Sequence, residues 1–231
     1  MAKAALIVGA GSGISASFAR TLVRDGYRVV LAARNAAKLA DLARETGARV
    51  VETDATQAES VAGLFADIDR TLGDLGVVLY NASYRTRGPF LELDPKEVAK
   101  SIEVSAFGGF LVGQEAARRM VARGEGAIFF TGASASVKGY AQSAPFAMGK
   151  FALRGLAQSM ARELQGKGIH VAHFVIDGGV RNAARGRPGD VASPDTLLDP
   201  DAIAETYMAT LKQPRSAWSL EVELRPWVEK F

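Results

Sequence analysis

Three glycines stand at positions 9, 11 and 13, in Val8-Gly9-Ala10-Gly11-Ser12-Gly13-Ile14-Ser15. They follow a short apolar run, Ala4–Val8, and open a helical pattern that begins at about Ser12. Glycines there let the chain turn tightly and let backbone N–H groups approach an anion at a helix N-terminus. That geometry suits a dinucleotide pyrophosphate; an empty turn is the other reading. The second apolar run ends in Leu31-Ala32-Ala33-Arg34-Asn35. A carboxylate at that strand end would accept hydrogen bonds from the adenosine ribose and repel a 2′-phosphate. Ala33 does neither, and the planar guanidinium of Arg34, with Lys38 one helical turn on, suits phosphate. The charge logic favours NADP(H) over NAD(H), against a solvated loop charge as the alternative role for Arg34. Cysteine is absent, which removes disulfides, thiolate metal sites and a cysteine nucleophile. The two histidines, His170 and His173, fall in an apolar stretch and read as strand residues rather than ligands.

The elements that must position these groups are legible in the alternation of the chain. Short apolar runs at Ala4–Val8, Arg28–Ala32, Ala48–Glu52, Gly76–Tyr80, Gly126–Thr131, Ile169–Ile176 and Trp218–Leu224 read as strands. Between them, amphipathic patterns predict helices at about Ser12–Asp25, Ala36–Thr46, Gln57–Leu72, Pro95–Arg123, Ser143–Gln165 and Pro200–Lys212. Asp94-Pro95 and Asp199-Pro200 place a cap before a proline at the first helical position, and Gly26, Gly47 and Gly166 are read as helix stops. Such alternation predicts an α/β fold: one doubly wound parallel sheet of about seven strands with helices on both faces. No linker, repeat or low-complexity segment interrupts it, so residues 1–231 read as a single domain. The Gly/Pro-rich stretch Asp177–Ser193, at the end of the sixth strand, reads as a substrate loop, or else as a plain connection.

Composition narrows the partners. Hydrophobic residues are 48% and charged residues 23% of the 231, an ordinary globular balance, which excludes disorder and coiled coil. The net charge of +3 is scattered rather than clustered, so neither nucleic acid nor an anionic membrane is indicated. No apolar run reaches the ~20 residues of a membrane span, and Ala4–Val8 is too short for a signal segment. The chain reads as cytoplasmic.

With these motifs in order, the chain resembles the short-chain dehydrogenase/reductase family over nearly its whole length. The glycine loop stands where the family has Thr-Gly-x-x-x-Gly-x-Gly, which implies that Gly9, Gly11, Ser12, Gly13 and Ile14 hold the pyrophosphate. Asp54, with Ala55 beside it, resembles the family residues that hold adenine. Asn81-Ala82-Ser83 resembles the Asn-Ala-Gly after the fourth strand. Lys150, with Ala152-Leu153 behind it, resembles the lysine that holds the nicotinamide ribose. The Pro-Gly after the sixth strand is Asp177-Gly178 here, which sets Gly178 against the cofactor.

The resemblance also implies a reaction: hydride transfer between nicotinamide and a small-molecule carbonyl or alcohol. In the family a Tyr phenol, acidified by a Lys four residues on, exchanges the proton, a Ser polarises the substrate oxygen and a helix Asn supports a water relay. Here the Tyr position reads Phe146, in Phe146-Ala147-Met148-Gly149-Lys150. The Asn position reads Ser105. Ser134 falls near the family serine, with Ser136 close enough to compete for the assignment. A benzyl ring donates no proton at any pH. The expectation is an NADP(H)-dependent oxidoreductase with a non-standard proton donor, Lys150 itself or a loop phenol, Tyr84 or Tyr140. The alternatives are a protein that binds NADP(H) with weak or no turnover, as a sensor or scaffold, and one acting chiefly through its oligomer. Small residues crowd the long helix (Ser105, Ala106, Gly108, Gly109 and Gly113), which suggests close approach of another backbone, from a second copy or from this chain itself. In the family this helix and the Ser143–Gln165 helix pack across a two-fold axis, which implies a homodimer or homotetramer.

Overall fold

In a computed structural model the structure describes residues 3–190 and 193–229. Seven strands form one parallel sheet in the order β3-β2-β1-β4-β5-β6-β7. They are β1 Ala4–Val8, β2 Arg28–Ala33, β3 Arg49–Glu52, β4 Leu75–Tyr80, β5 Gly126–Thr131, β6 Ile169–Ile176 and β7 Glu221–Leu224. The helices are α1 Ile14–Arg24, α2 Ala40–Thr46, α3 Ala58–Thr71, α4 Pro95–Ile102, α5 Gly108–Arg123, α6 Ala144–Leu164 and α7 Pro200–Leu211. The predicted fold class holds. Among the described residues no helix is long and apolar enough to cross a membrane.

The central strands are apolar without alternation because helices cover both faces. On one face Leu6, Val8, Val78 and Ile128 pack against Leu64 and Phe65 of α3, Val112 and Met120 of α5, and Leu153 of α6. On the other, Ile7, Leu31, Leu79 and Phe129 pack against Phe18 and Leu22 of α1, Leu42 of α2, and Ile203 and Tyr207 of α7. The strand order reverses between β1 and β4, and at such a switch point the carboxyl ends of the strands leave a crevice.

The structure corrects the sequence reading in three places. The predicted last strand begins at Glu221 rather than Trp218, whose indole instead stacks on His170 with ring centroids 4.8 Å apart. The left-handed stop after α6 is Gly168, φ 83°, not Gly166; Gly124, φ 69°, closes α5. The helix predicted as one rod over Pro95–Arg123 contains a π turn at Glu103–Phe107. Of its small residues, Gly108 and Gly109 approach this chain's own core, the intramolecular one of the two partners that the sequence allowed. A Cβ on Gly108 would lie 2.4 Å from the Tyr80 hydroxyl and 2.9 Å from the Ala55 carbonyl oxygen, and one on Gly109 2.7 Å from Leu153.

Candidate functional site

A cavity of about 910 Å³ opens along the carboxyl ends of the strands. Gly9, Gly11, Ser12, Gly13, Ile14, Arg34, Asp54, Ala55, Asn81, Ala82, Ser83, Lys150 and Gly178 all line it, as do Ser134 and Phe146. Ser105 does not. The structure thus brings together every predicted binding residue and three of the four predicted catalytic positions.

The glycine loop is built for its path. The N–H groups of Gly9 and Ala10 donate to the Ala32 carbonyl at 2.9 and 3.1 Å, which turns the chain off β1. Gly9 has φ 80°, and a Cβ there would meet the Ala82 backbone nitrogen at 2.3 Å, so only glycine fits. Asn81 Nδ2 donates to Ser15 Oγ at 2.8 Å, which fastens the end of β4 to the first turn of α1. No side chain caps α1 at Gly13, so its first N–H groups face the cavity with the positive end of the helix dipole. Asn182 reaches over this loop and accepts a 3.2 Å hydrogen bond from Ser12 Oγ. Neither Ser15 nor Asn182 was legible beforehand, since both act through contacts distant in sequence.

Arg34 and Lys38 line the β2 end of the cavity as exposed cations. Asp54, beyond β3, accepts from the Thr56 N–H at 3.0 Å and the Thr56 hydroxyl at 2.8 Å. Burial alone would raise the Asp54 carboxyl, but those two hydrogen bonds and the Arg34 charge hold it below the usual carboxylate range. An anionic acceptor therefore persists here beside two cations, a donor and acceptor set that fits an adenosine carrying a phosphate.

At the far end Lys150 is buried and its Nζ donates to the Thr131 carbonyl at 2.7 Å. Desolvation brings its pKa down to about 8. The Phe146 ring lies one helical turn before it, 5.9 Å from Nζ to the ring centroid. Above the same ring sits the Arg85 guanidinium, 4.8 Å from the centroid. The two serines separate cleanly. Ser136 is fully buried and its hydroxyl accepts the Ala133 N–H at 3.1 Å, while Ser134 lines the cavity with its hydroxyl unengaged by any described residue. Ser105 lies in the π turn, buried and without a hydrogen-bond partner for its Oγ among the described residues.

Of the two loop phenols, Tyr140 lines the cavity and Tyr84 does not. The Tyr84 hydroxyl is held by Glu97 and its ring by the Lys100 ammonium at 4.4 Å, so it is excluded as a proton donor in this arrangement. The Asp177–Ser193 stretch sends Gly178, Val180, Asn182, Arg185 and Arg187 to the cavity wall; Val191 and Ala192 within it lie outside the described residues. Asp177 itself is buried and ion-paired to Arg225 at 3.2 Å, a tether between the ends of β6 and β7. His170 and His173 lie in β6. His173 Nδ1 meets Glu221 at 3.1 Å, and burial lowers its pKa to about 4, against the raising effect of Glu221.

Comparison with known proteins places this geometry. Residues 3–185 match the short chain dehydrogenase family. A Staphylococcus aureus protein named as an uncharacterized oxidoreductase is 29% identical over 230 residues, 97% of either chain. A solved short-chain dehydrogenase from Rhodopseudomonas palustris is 37% identical, with a TM-score of 0.84 over 97% of this chain and 99% of that one. The alcohol dehydrogenase of the archaeon Thermococcus sibiricus, solved with 5-hydroxy-NADP, is 28% identical, with a TM-score of 0.85 over 100% and 99% of the two chains.

Proposed function

The chain belongs to the short-chain dehydrogenase family and is an oxidoreductase of that family; from that premise we propose that it is an NADP(H)-dependent enzyme acting on a carbonyl or alcohol, with Lys150 as its proton donor. One observation carries the reading. A single cavity joins a phosphate-binding end, with the glycine loop, Arg34 and Asp54, to an end where a desolvated lysine, Ser134 and Phe146 converge. Arg34 and Lys38 hold the 2′-phosphate, the α1 N-terminus holds the pyrophosphate, Asp54 and Ala55 hold adenine, and Asn81, Ala82, Ser83 and Gly178 line the path to the nicotinamide. NADP(H), when bound, supplies or accepts the hydride.

Ser134 orients the substrate oxygen with its free hydroxyl. Lys150, with its pKa near 8, holds a proton at neutral pH that it can pass to that oxygen, directly or through a water. Phe146, at the family's Tyr position, supplies a ring wall and no proton. The capture of an NADP analogue by the archaeal relative supports the cofactor choice.

Phe146 also favours a second reading, an NADP(H)-binding protein without turnover, and one experiment separates them. Dissociation constants for NADPH and NADH are measured for the wild type and Arg34→Ala, followed by NADPH oxidation with a panel of carbonyls. The expected result is NADPH preference, a loss of tenfold or more in NADPH affinity in the variant, and steady oxidation with some carbonyl. Equal wild-type affinities for the two cofactors overturn the cofactor assignment. Binding without turnover on any carbonyl selects the second reading.

A further inference from the structure

The dinucleotide accounts for Arg34 and Lys38 but leaves a second group of cations unexplained. Arg85, Arg185 and Arg187 line the same cavity, and Arg87 lies close behind. None of the four has a carboxylate partner among the described residues. Several arginines elsewhere do have one: Arg181 with Asp199 at 2.7 Å, Arg154 with Glu221 at 2.7 Å, Arg119 with Asp69 at 2.7 Å. The one described carboxylate in the cavity wall is Asp54, at the adenosine end and engaged by Thr56. The end near Lys150 therefore carries positive charge with no internal counter-ion.

Arg85 is placed rather than loose. Its guanidinium sits 4.8 Å over the Phe146 ring, which lies one helical turn from Lys150. Burial, then the charges of Arg87 and Arg187, disfavour its ionised form, though a guanidinium stays protonated throughout the working range. Arg187 stands beside Gly179, with Nη1 3.8 Å from where a Cβ would lie, just past the end of β6. Arg85 over an apolar ring, with the Arg187 charge acting on it and no carboxylate for either among the described residues, forms a receptor for a planar anion: the guanidinium fork accepts both oxygens of a carboxylate at the edge of an apolar wall.

Resting on the oxidoreductase reading above, we infer that the substrate is a carboxylate, an oxo acid or its hydroxy acid, whose acid group is held by Arg85 and Arg187 above Phe146. Reduction adds a hydride to the carbonyl carbon and a proton to its oxygen, with NADPH oxidised to NADP⁺ and the carboxylate unchanged.

The same guanidinium chemistry could serve a cofactor phosphate, and the test keeps the two sources apart. Wild type and Arg85→Gln are saturated with NADPH and titrated calorimetrically with benzoate and with benzamide; turnover is then compared for benzoylformate and its methyl ester. Expected are benzoate binding at least tenfold tighter than benzamide, and a tenfold to hundredfold loss of benzoate affinity in Arg85→Gln with NADPH affinity kept within twofold. The acid should also exceed the ester at least tenfold in kcat/KM, a ratio that collapses in the variant. Benzoate and benzamide binding alike, or an ester reduced as well as the acid, overturns the carboxylate subsite and leaves the oxidoreductase standing. Loss of NADPH affinity in Arg85→Gln, with benzoate unaffected, assigns the guanidinium to a cofactor phosphate and overturns it equally. Failure of the wild type to bind NADPH at all defeats the functional reading first, and is seen as such before any benzoate is added.

Discussion

Phe146 and Lys150 share one face of α6, so restoring a hydroxyl at the ring's tip is the direct test of how the proton is handled. In Phe146→Tyr the new phenol stands between the Lys150 ammonium and the Arg85 guanidinium, both of which favour its ionised form and draw its pKa down from about 10. Positioned acid catalysis contributes ~10²–10⁴-fold. If Ser105 holds the family's relay-asparagine position, as the resemblance implies, an increase of about tenfold to a hundredfold in carbonyl reduction is expected in steady-state assays. An unchanged or slower variant would show that the added phenol takes no part in the proton transfer, and Lys150→Ala would then test the lysine as its route. The lysine makes a second prediction through linkage. Its folded pKa, about 8, lies below the unfolded value near 10.4, so between those values the unfolded chain binds the extra proton and stability rises with pH. Comparing cofactor-free wild type with Lys150→Met by urea unfolding from pH 7 to 10, the wild type should gain roughly 3 kcal/mol relative to the variant. Parallel pH profiles would mean that Lys150 is not desolvated in solution.

The π turn Glu103–Phe107 is the element that most shapes the site without touching it. Tyr80, fully buried in β4, donates to the Val104 carbonyl at 2.5 Å and so ties the π turn to the sheet. The next residue pair explains the glycines: Gly108 sits where any Cβ would strike Tyr80 Oη and the Ala55 backbone, whereas Gly63, in α3, has nothing within 4 Å of the equivalent point. Gly108→Ala should therefore destabilise by ~1–3 kcal/mol through overpacking, and Gly63→Ala should stabilise by ~0.5–1 kcal/mol through helix propensity. Denaturant midpoints of the two variants check the contrast. Equal effects of the same sign would refute the close approach read at Gly108.

On the scale of the whole molecule, the crowded glycines of α5 are spent inside the chain, yet the outer faces of α5 and α6 and the π turn carry Phe107, Phe110, Met148 and Phe151, each at least 40% exposed. Phe107 and Phe110 stack with centroids 6.1 Å apart, forming an apolar surface with no cover of its own. We propose a homodimer or homotetramer closed over this surface. Light scattering at micromolar concentration should give a multiple of 24.4 kDa, and Phe110→Asp with Phe151→Asp should shift it to the monomer. A wild-type monomer refutes the assembly.

Residues near in sequence carried their own meaning. The apolar runs and proline-capped helices dictated a parallel, two-faced sheet, because strand burial and helix entry are local effects of side-chain type and backbone geometry. Gly9, Gly11 and Gly13 were legible for the same reason, as was the pairing of Phe146 with Lys150 at one helical turn. Contacts between distant segments were not. Ser134 and Ser136 differ by two positions, and only the packed turn after β5 decided that one hydroxyl caps Ala133 while the other opens to the cavity. Helical periodicity ran unbroken through Glu103–Phe107, and the contact that the π turn makes with Tyr80 of β4 joins segments distant in sequence. Tyr84 stood beside a binding motif and turned away to Glu97, and the stripe of small residues announced a close neighbour without saying which segment supplies it. Arg85 was one basic residue among many until the fold laid it over Phe146, since charge has a sign in sequence but acquires a direction only when burial and counter-ions are assigned in space.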